Sequence, residues 1–175
     1  MSESKGQERV DERALGLIFR KARTHIAWQP RPVSTELLRE VYEIARWAPT
    51  SANGNPGRFV FLTTPEAKER LIPCLMPGNV EKTRSAPVTV IIAQDMEFHE
   101  NLPRLVPAVD FKSMFAGNPG LIADTAFRNS SLQGAYFILA ARWLGLDCGP
   151  MSGFDAEKLN AEFFPDGKWR VNFLC

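Results

Sequence analysis

Three short segments of this 175-residue chain hold residue types that could do chemistry. The first is Arg23-Thr24-His25, ahead of a break at Pro30 and Pro32. A cation beside a hydroxyl is a donor set suited to a phosphate. The second is Ala48-Pro49-Thr50-Ser51-Ala52-Asn53-Gly54-Asn55-Pro56. It packs hydroxyls, carboxamides, a glycine and two prolines into one turn. Such a turn presents backbone N–H groups and short polar side chains to a flat ligand with polar edges. The third is Gly149-Pro150-Met151-Ser152-Gly153, a tight turn whose Ser152 and Gly153 amides can face a ligand. Each segment also has a plainer reading: a solvated arginine, a connecting loop and an ordinary turn.

Other machinery is poorly supported. The two histidines, His25 and His99, lie in different segments without spaced carboxylates, so no metal site is expected. No Gly-x-Ser-x-Gly elbow occurs. Cys74, Cys148 and Cys175 fit neither a disulfide framework nor a zinc motif, and Cys148 reads as a small buried hydrophobe. No Gly-x-Gly-x-x-Gly or P-loop follows any strand, which argues against a dinucleotide-binding Rossmann unit or phosphoryl transfer. A chain of this kind either does not catalyse or takes its chemistry from an organic cofactor. The three segments favour the cofactor.

The elements that must position them can be read from periodicity. Ala14 to Lys21 reads as a short helix. Ser34 is an N-cap, and Leu37, Leu38, Val41, Ile44 and Ala45 follow at helical spacing until Pro49. Arg58 to Thr63 is a strand. Thr64-Pro65-Glu66 starts a helix with a hydroxyl cap and Pro at its first position. Val88 to Ala93 is an apolar run expected to be a strand buried on both faces. Met96 to Asn118 is irregular but rich in aromatics, so it packs over something, as a lid or as a cover for the core. Leu121 to Leu144 is the longest helix, stopped by Gly145, with an apolar face of Leu132, Ala135, Tyr136, Leu139, Ala140 and Trp143. Such a helix belongs in an interior or a subunit interface. Asp155 caps a helix to about Phe164, and a strand begins at Arg170. The fold class is α+β, one central sheet flanked by helices.

Length favours a single domain over 1–175. The composition is that of a globular protein, 45% hydrophobic and 23% charged, with a net charge of +1. That charge makes no electrostatic case for nucleic acid or an acidic membrane surface. No apolar run is long enough to span a bilayer. Met1 to Arg13 is polar, without the apolar region of a signal peptide, and reads as a frayed lead-in. Cytoplasmic localisation is expected, where the sequon Asn129-Ser130-Ser131 is silent.

In this order the segments resemble the nitroreductase superfamily of FMN flavoproteins. The resemblance runs from about Leu17 to the end. It implies a nitroreductase-like fold, a mostly antiparallel sheet flanked by helices, and a dimer with FMN between its subunits. It implies that Arg23, Thr24 and His25 hold the FMN phosphate. Pro49, Thr50, Ser51, Asn53 and Asn55 then lie against the flavin and ribityl chain. Asn79 and Lys82 take the pyrimidine edge, with Lys82 stabilising negative charge on the reduced ring. Pro150, Met151, Ser152 and Gly153 form the turn that offers the Ser152 amide to flavin N5. NADH or NADPH is the implied co-substrate.

Arg-Thr-His-x-x-Trp, Pro-Thr-Ser-Ala-Asn, Thr-Ala-Phe-Arg-Asn-Ser-Ser and Gly-Pro-Met-Ser-Gly-Phe-Asp are similar to one branch in particular. That branch reduces malonic semialdehyde to 3-hydroxypropionate; its members are often named NADH dehydrogenase or NAD(P)H nitroreductase. The resemblance leaves open a promiscuous nitroarene or quinone reductase and a flavin-binding protein without turnover. Two departures stand out. Asn55 replaces a longer Gln. Relatives also continue past the last strand into a basic tail that completes the phosphate site, a tail missing from this sequence. Without the resemblance, Lys82 reads as a surface lysine in a charged run.

Overall fold

The computed structural model describes residues 9–175. The first eight positions of the lead-in lie outside the described residues. The helices are α1 (Glu12–Leu15), α2 (Thr35–Ala45), α3 (Pro65–Leu71), α4 (Pro77–Ser85), α5 (Leu102–Leu105), α6 (Pro119–Trp143) and α7 (Ala156–Phe163). The strands are β1 (Gly57–Leu62), β2 (Thr89–Asp95) and β3 (Trp169–Leu174).

The cap signals act as read. Ser34 accepts from the Leu37 N–H, Thr64 from Ala67 and Asp155 from Lys158. Each satisfies one of the first-turn amides that a helix leaves unpaired. Gly145 ends α6 at φ +83°, a conformation that suits glycine. The short first helix is the exception. It starts earlier than expected, at Glu12, because Asp11 caps it, and a π-helical turn over Gly16–Arg20 replaces its second half.

The three strands form one antiparallel sheet in the order β1-β2-β3. The central strand β2 is buried on both faces, and alternation divides its side chains. Val90 and Ile92 join Val41 and Ala45 of α2 and Phe137, Ala140 and Ala141 of α6 in one core. Ile91 and Ala93 join Leu62, Leu71, Leu159 and Leu174 in a second core on the opposite face. The ladder to β3 shifts register between Ile92 and Ala93: Ile92 opposes Phe173, and Ala93 opposes Val171. Asn172 is the bulged residue between them. Its amide nitrogen donates to Ser130 Oγ at 2.8 Å and to Ser131 Oγ at 2.9 Å on α6. A bulge re-aims a side chain in this way.

Of the two places expected for the apolar face of α6, the interior of the single chain is not the one it takes. Thr125, Asn129, Ser130 and Gln133 are buried along with Ala126, Gly134, Phe137, Ala140 and Ala141. Of the anticipated apolar face only Ala140 is buried, and Leu132 (44% exposed), Tyr136 and Trp143 (51%) are open in the single chain. The sheet side of α6 is set by close approach. A Cβ at Gly134 would stand 2.5 Å from the Phe173 ring and 3.4 Å from Ile92.

The segment from 96 to 118 covers rather than gapes. Phe98, Leu102 and Phe115 are buried with Ala126 in a third cluster, against which Ala52 packs. Phe98 meets Phe115 edge-on at 5.1 Å between ring centroids.

Gly134→Val tests the α6–sheet approach. Helix propensities of Gly and Val nearly cancel, so the overpacking term dominates. The expected result is a loss of about 1–3 kcal/mol in a urea titration, with an unchanged m-value.

Candidate functional site

The loop between α2 and β1 is held in a conformation that side chains rarely accept. Ala52, Asn53 and Asn55 have φ of +50°, +49° and +44°. For an L-residue such as Ala52 this costs about 1–2 kcal/mol. Asparagine tolerates it better. The surroundings impose it. Ala52 is packed into the Phe98 cluster. Asn129 Oδ1 accepts from the Ser51 N–H at 2.8 Å, while Asn129 Nδ2 donates to the Thr125 carbonyl. One turn along α6, Gln133 Oε1 accepts from the Gly57 N–H at 2.6 Å. The far end is held by Arg58, which donates to the Asn55 carbonyl at 2.8 Å and pairs with the buried Asp95 carboxylate.

Within the loop, Asn55 Nδ2 donates to the Asn53 carbonyl at 2.7 Å and to Asn53 Oδ1 at 2.8 Å. The Asn55 N–H donates to Thr50 Oγ1 at 3.2 Å. The two carboxamides therefore close on each other. Pro49, Ser51 and Asn53 are exposed.

The turn after α6 is fixed from both sides. Met151 exchanges backbone hydrogen bonds with Leu174 at 2.8 and 3.0 Å. Asn79 Nδ2 donates to the Gly153 carbonyl at 2.7 Å, and the Met76 N–H donates to the same carbonyl at 3.0 Å. Among the described residues the Ser152 and Gly153 amides donate to no protein acceptor. Pro150, Met151 and Ser152 line a cavity of about 420 Å³ with Ser131, Ala135 and Ile138 of α6. Asn79 thus braces the turn that holds the free amides.

Lys82 lies half-buried on α4, one turn after Asn79. Its backbone carbonyl accepts from Trp28 Nε1 at 2.8 Å. The end of α4 is capped by a buried ammonium: Lys68 Nζ donates to the Arg84 carbonyl at 2.9 Å and to the Ala86 carbonyl at 2.6 Å. These bonds satisfy carbonyls that a helix end leaves orphaned. Lys82 and His25 line a cavity of about 800 Å³ together with Trp28, Phe137 and Met151.

The Arg23–His25 segment is joined to the turn by backbone pairing. Thr24 bridges Cys148, and the His25 N–H donates to the Cys148 carbonyl at 3.1 Å. A Cβ on Gly149 would stand 2.6 Å from the His25 carbonyl oxygen, so only glycine lets the two strands approach. His25 Nε2 lies 3.4 Å from Asp147 Oδ1. Arg23 donates through Nη1 to the carbonyls of Arg20 and Ala22 and is exposed. Cys148 is buried; the Cys175 sulfur beside it and then burial push its thiol far above the ordinary range. Both its burial and the raised thiol set it apart from an activated cysteine.

The structure links Thr24, His25, Asn79, Lys82 and Pro150 to Gly153 through backbone pairing, hydrogen bonds and shared cavity walls, whereas Arg23 is only their neighbour in the chain, with its side chain turned to Arg20 and Ala22. Pro49, Thr50, Ser51, Asn53 and Asn55 line neither of these cavities within a single chain. They connect to the region only through α6, where Asn129 holds Ser51 and the nearby Ser131 lines the Ser152 cavity. Asn129 and Gln133 are absent from the sequence-derived set. Thr125, Asn129 and Gln133 recur every four residues, a polar stripe on an otherwise apolar helix, and that was the available signal.

Residues 20–174 match the model of the Nitroreductase family. A protein named "Putative NADH dehydrogenase/NAD(P)H nitroreductase" from Polynucleobacter asymbioticus is 58% identical over 165 residues, 94% of this chain and 84% of the relative. A like-named protein from Rhodopseudomonas palustris is 58% identical over 161 residues, 92% of this chain and 82% of that one. Among solved structures, a "putative nitroreductase in complex with FMN" from Exiguobacterium sibiricum superposes with a TM-score of 0.82. It is 21% identical, over 96% of this chain and 87% of its own. An enone reductase, CLA-ER, of gut-bacterial fatty acid saturation metabolism superposes equally well, at 0.82 and 22% identity, over 95% of this chain and 88% of its own. These likenesses agree in fold with the α+β architecture described above.

Asn129→Ala removes the acceptor for the Ser51 amide. We expect a stability loss of about 1–3 kcal/mol from the unmade hydrogen bonds. Hydrogen exchange should quicken at Ser51 to Asn53 while β2 amides keep their protection. Unchanged exchange in the loop would remove Asn129 from its supports.

Proposed function

This chain belongs to the nitroreductase family, and we propose that it is an FMN-dependent NAD(P)H oxidoreductase whose substrate is an aldehyde of the malonic-semialdehyde type. The observation that carries this reading is the braced turn at Pro150–Gly153. It holds two amides without protein acceptors beside one cavity, next to a second cavity lined by Lys82 and His25, with Thr24 paired to Cys148 just ahead of the turn. This donor set suits FMN, an anionic phosphate joined to a ring with an electron-rich edge.

When bound, FMN would supply the redox chemistry, hydride transfer between NAD(P)H and the acceptor. The chain supplies position and charge. Arg23, through the guanidinium nitrogens not donating to Arg20 and Ala22, and the Thr24 hydroxyl hold the phosphate. The Ser152 amide donates to the ring edge. Lys82 places a fixed cation where negative charge grows, which has most effect in a pocket poor in water. Asn79 keeps the Ser152–Gly153 turn in place through the Gly153 carbonyl.

The loop residues reach such a ligand most simply from a second copy, so the working form is a homodimer. Its interface would cover the exposed side chains of Trp47 (80%), Phe127 (55%), Leu132, Tyr136 and Trp143. Apolar exposure on this scale is characteristic of an interaction surface. Light scattering at micromolar concentration should give a dimer; a monodisperse monomer would overturn this part of the reading.

The names of the close relatives favour a second reading, reduction of nitroarenes or quinones. An absorbance spectrum of the purified protein decides whether a flavin is held. NADH and NADPH oxidation rates with malonic semialdehyde, a quinone and a nitroarene then decide the acceptor.

The roles of Arg23 and Lys82 separate by redox state. Arg23→Ala should weaken oxidised FMN about 10- to 100-fold in a fluorescence titration, as expected for a charge-assisted bond made in both states. Lys82→Met keeps the stem and removes the charge. It should lower the flavin midpoint potential and slow its reduction by NAD(P)H about tenfold or more, with a smaller effect on oxidised FMN. Equal losses in oxidised-FMN affinity would show that the two roles are misassigned.

A further inference from the structure

Cys148 and Cys175 are far apart in the chain and adjacent in the fold. Met151 and Leu174 exchange both backbone hydrogen bonds as an antiparallel pair. Extending that register by one residue sets Pro150 opposite Cys175. Cys148, two residues before Pro150, then lies on the same face as Cys175, as its diagonal neighbour. The packing agrees. Cys148 is buried in the core cluster of Val90 and Phe137, and Cys175 packs against that cluster. Both cysteines line the cavity of about 800 Å³, which gives a small solute a path to them.

The two thiols are free, and they are not equivalent. A hydrogen bond from the Cys148 thiol to the Cys175 sulfur raises the first thiol and lowers the second. Burial raises both, and the Gly149 N–H works against it at Cys175. The activated thiol of the pair is therefore Cys175. Cys74 belongs to the core on the opposite face of the sheet.

We propose that Cys175 and Cys148 form a peroxide-responsive thiol pair, in which Cys175 attacks hydrogen peroxide and Cys148 closes the disulfide. The Cys175 thiolate displaces hydroxide by breaking the O–O bond and becomes a sulfenic acid. The Cys148 sulfur then bonds to the Cys175 sulfur. The S–O bond breaks, and the hydroxyl leaves as water with the Cys148 proton. Two thiols are oxidised to one disulfide, and the peroxide is reduced to water. Diagonal neighbours stand about 7–8 Å apart at Cα, just beyond the ~4.4–6.8 Å of most disulfides. The bond therefore draws the end of β3 toward Gly149, at the root of the turn that holds the Ser152 and Gly153 amides. The pair would respond in this way whichever ligand that turn holds.

The test is a non-reducing peptide map of the protein after exposure to hydrogen peroxide. A peptide joining Cys148 to Cys175 should appear, leaving Cys74 as the free thiol, and dithiothreitol should reverse it. In Cys148→Ser, a sulfenic acid should persist at Cys175 and take up dimedone. In Cys175→Ser, oxidation of Cys148 should slow about tenfold or more, because the lowered thiol is gone. Peroxide-treated wild type without the joined peptide overturns the pair, whatever the variants do. Cys148 oxidising at the wild-type rate in Cys175→Ser overturns the order of attack.

Discussion

The architecture of this protein depends on side chains of one helix holding the backbone of one loop. Asn129 and Gln133 reach from α6 to the amides of Ser51 and Gly57, at the two ends of a stretch with three left-handed residues. Such a stretch is strained and too short to carry a core of its own. It keeps its shape because α6 satisfies its ends and the Phe98 cluster packs on Ala52. The same helix, on an adjacent face, walls the cavity beside Ser152. A shift in α6 would therefore move loop and cavity together.

The other half of the region is tied by a chain of hydrogen bonds through the backbone. Thr24 pairs with Cys148, Met151 with Leu174, Asn79 holds Gly153, and Trp28 holds the Lys82 carbonyl. Lys68 anchors the end of α4 from inside the protein. The ammonium is nearly fully buried, and its two carbonyl partners offset the cost of leaving water. The side chains expected to meet a ligand thus stand on elements whose own backbone groups are committed, which keeps donors preorganised.

Much of this was legible in the sequence where local rules act alone. Ser34, Thr64 and Asp155 cap the helices at which they were placed, and the Val88–Ala93 run is the doubly buried strand. The failures are long-range. Leu132, Tyr136 and Trp143 point away from the sheet, while Asn129 and Gln133 lie inside, so hydrophobicity along α6 does not mark the side that packs on the sheet. Asn79 and Asn55 were legible as carboxamides near a site, but not as groups already bonded to backbone or to another amide. Helix α4 was hidden by a sequence of weak amphipathicity, which Lys68 and Trp28 fix from outside it. The order of the segments, more than any one of them, marked the family.

The bulge at Asn172 has a consequence for how this chain can change over generations. Phe173 and Leu174 face the correct cores only because one residue is looped out before them. Removing Asn172 would close the bulge and lose the tether to α6. Adding one would exchange inside for outside in everything that follows, including the partner of Met151. Point substitutions can accumulate in this strand, but changes in its length cannot. Lineages of this protein should be free to drift in composition there while keeping a fixed count of residues between Trp169 and Leu174.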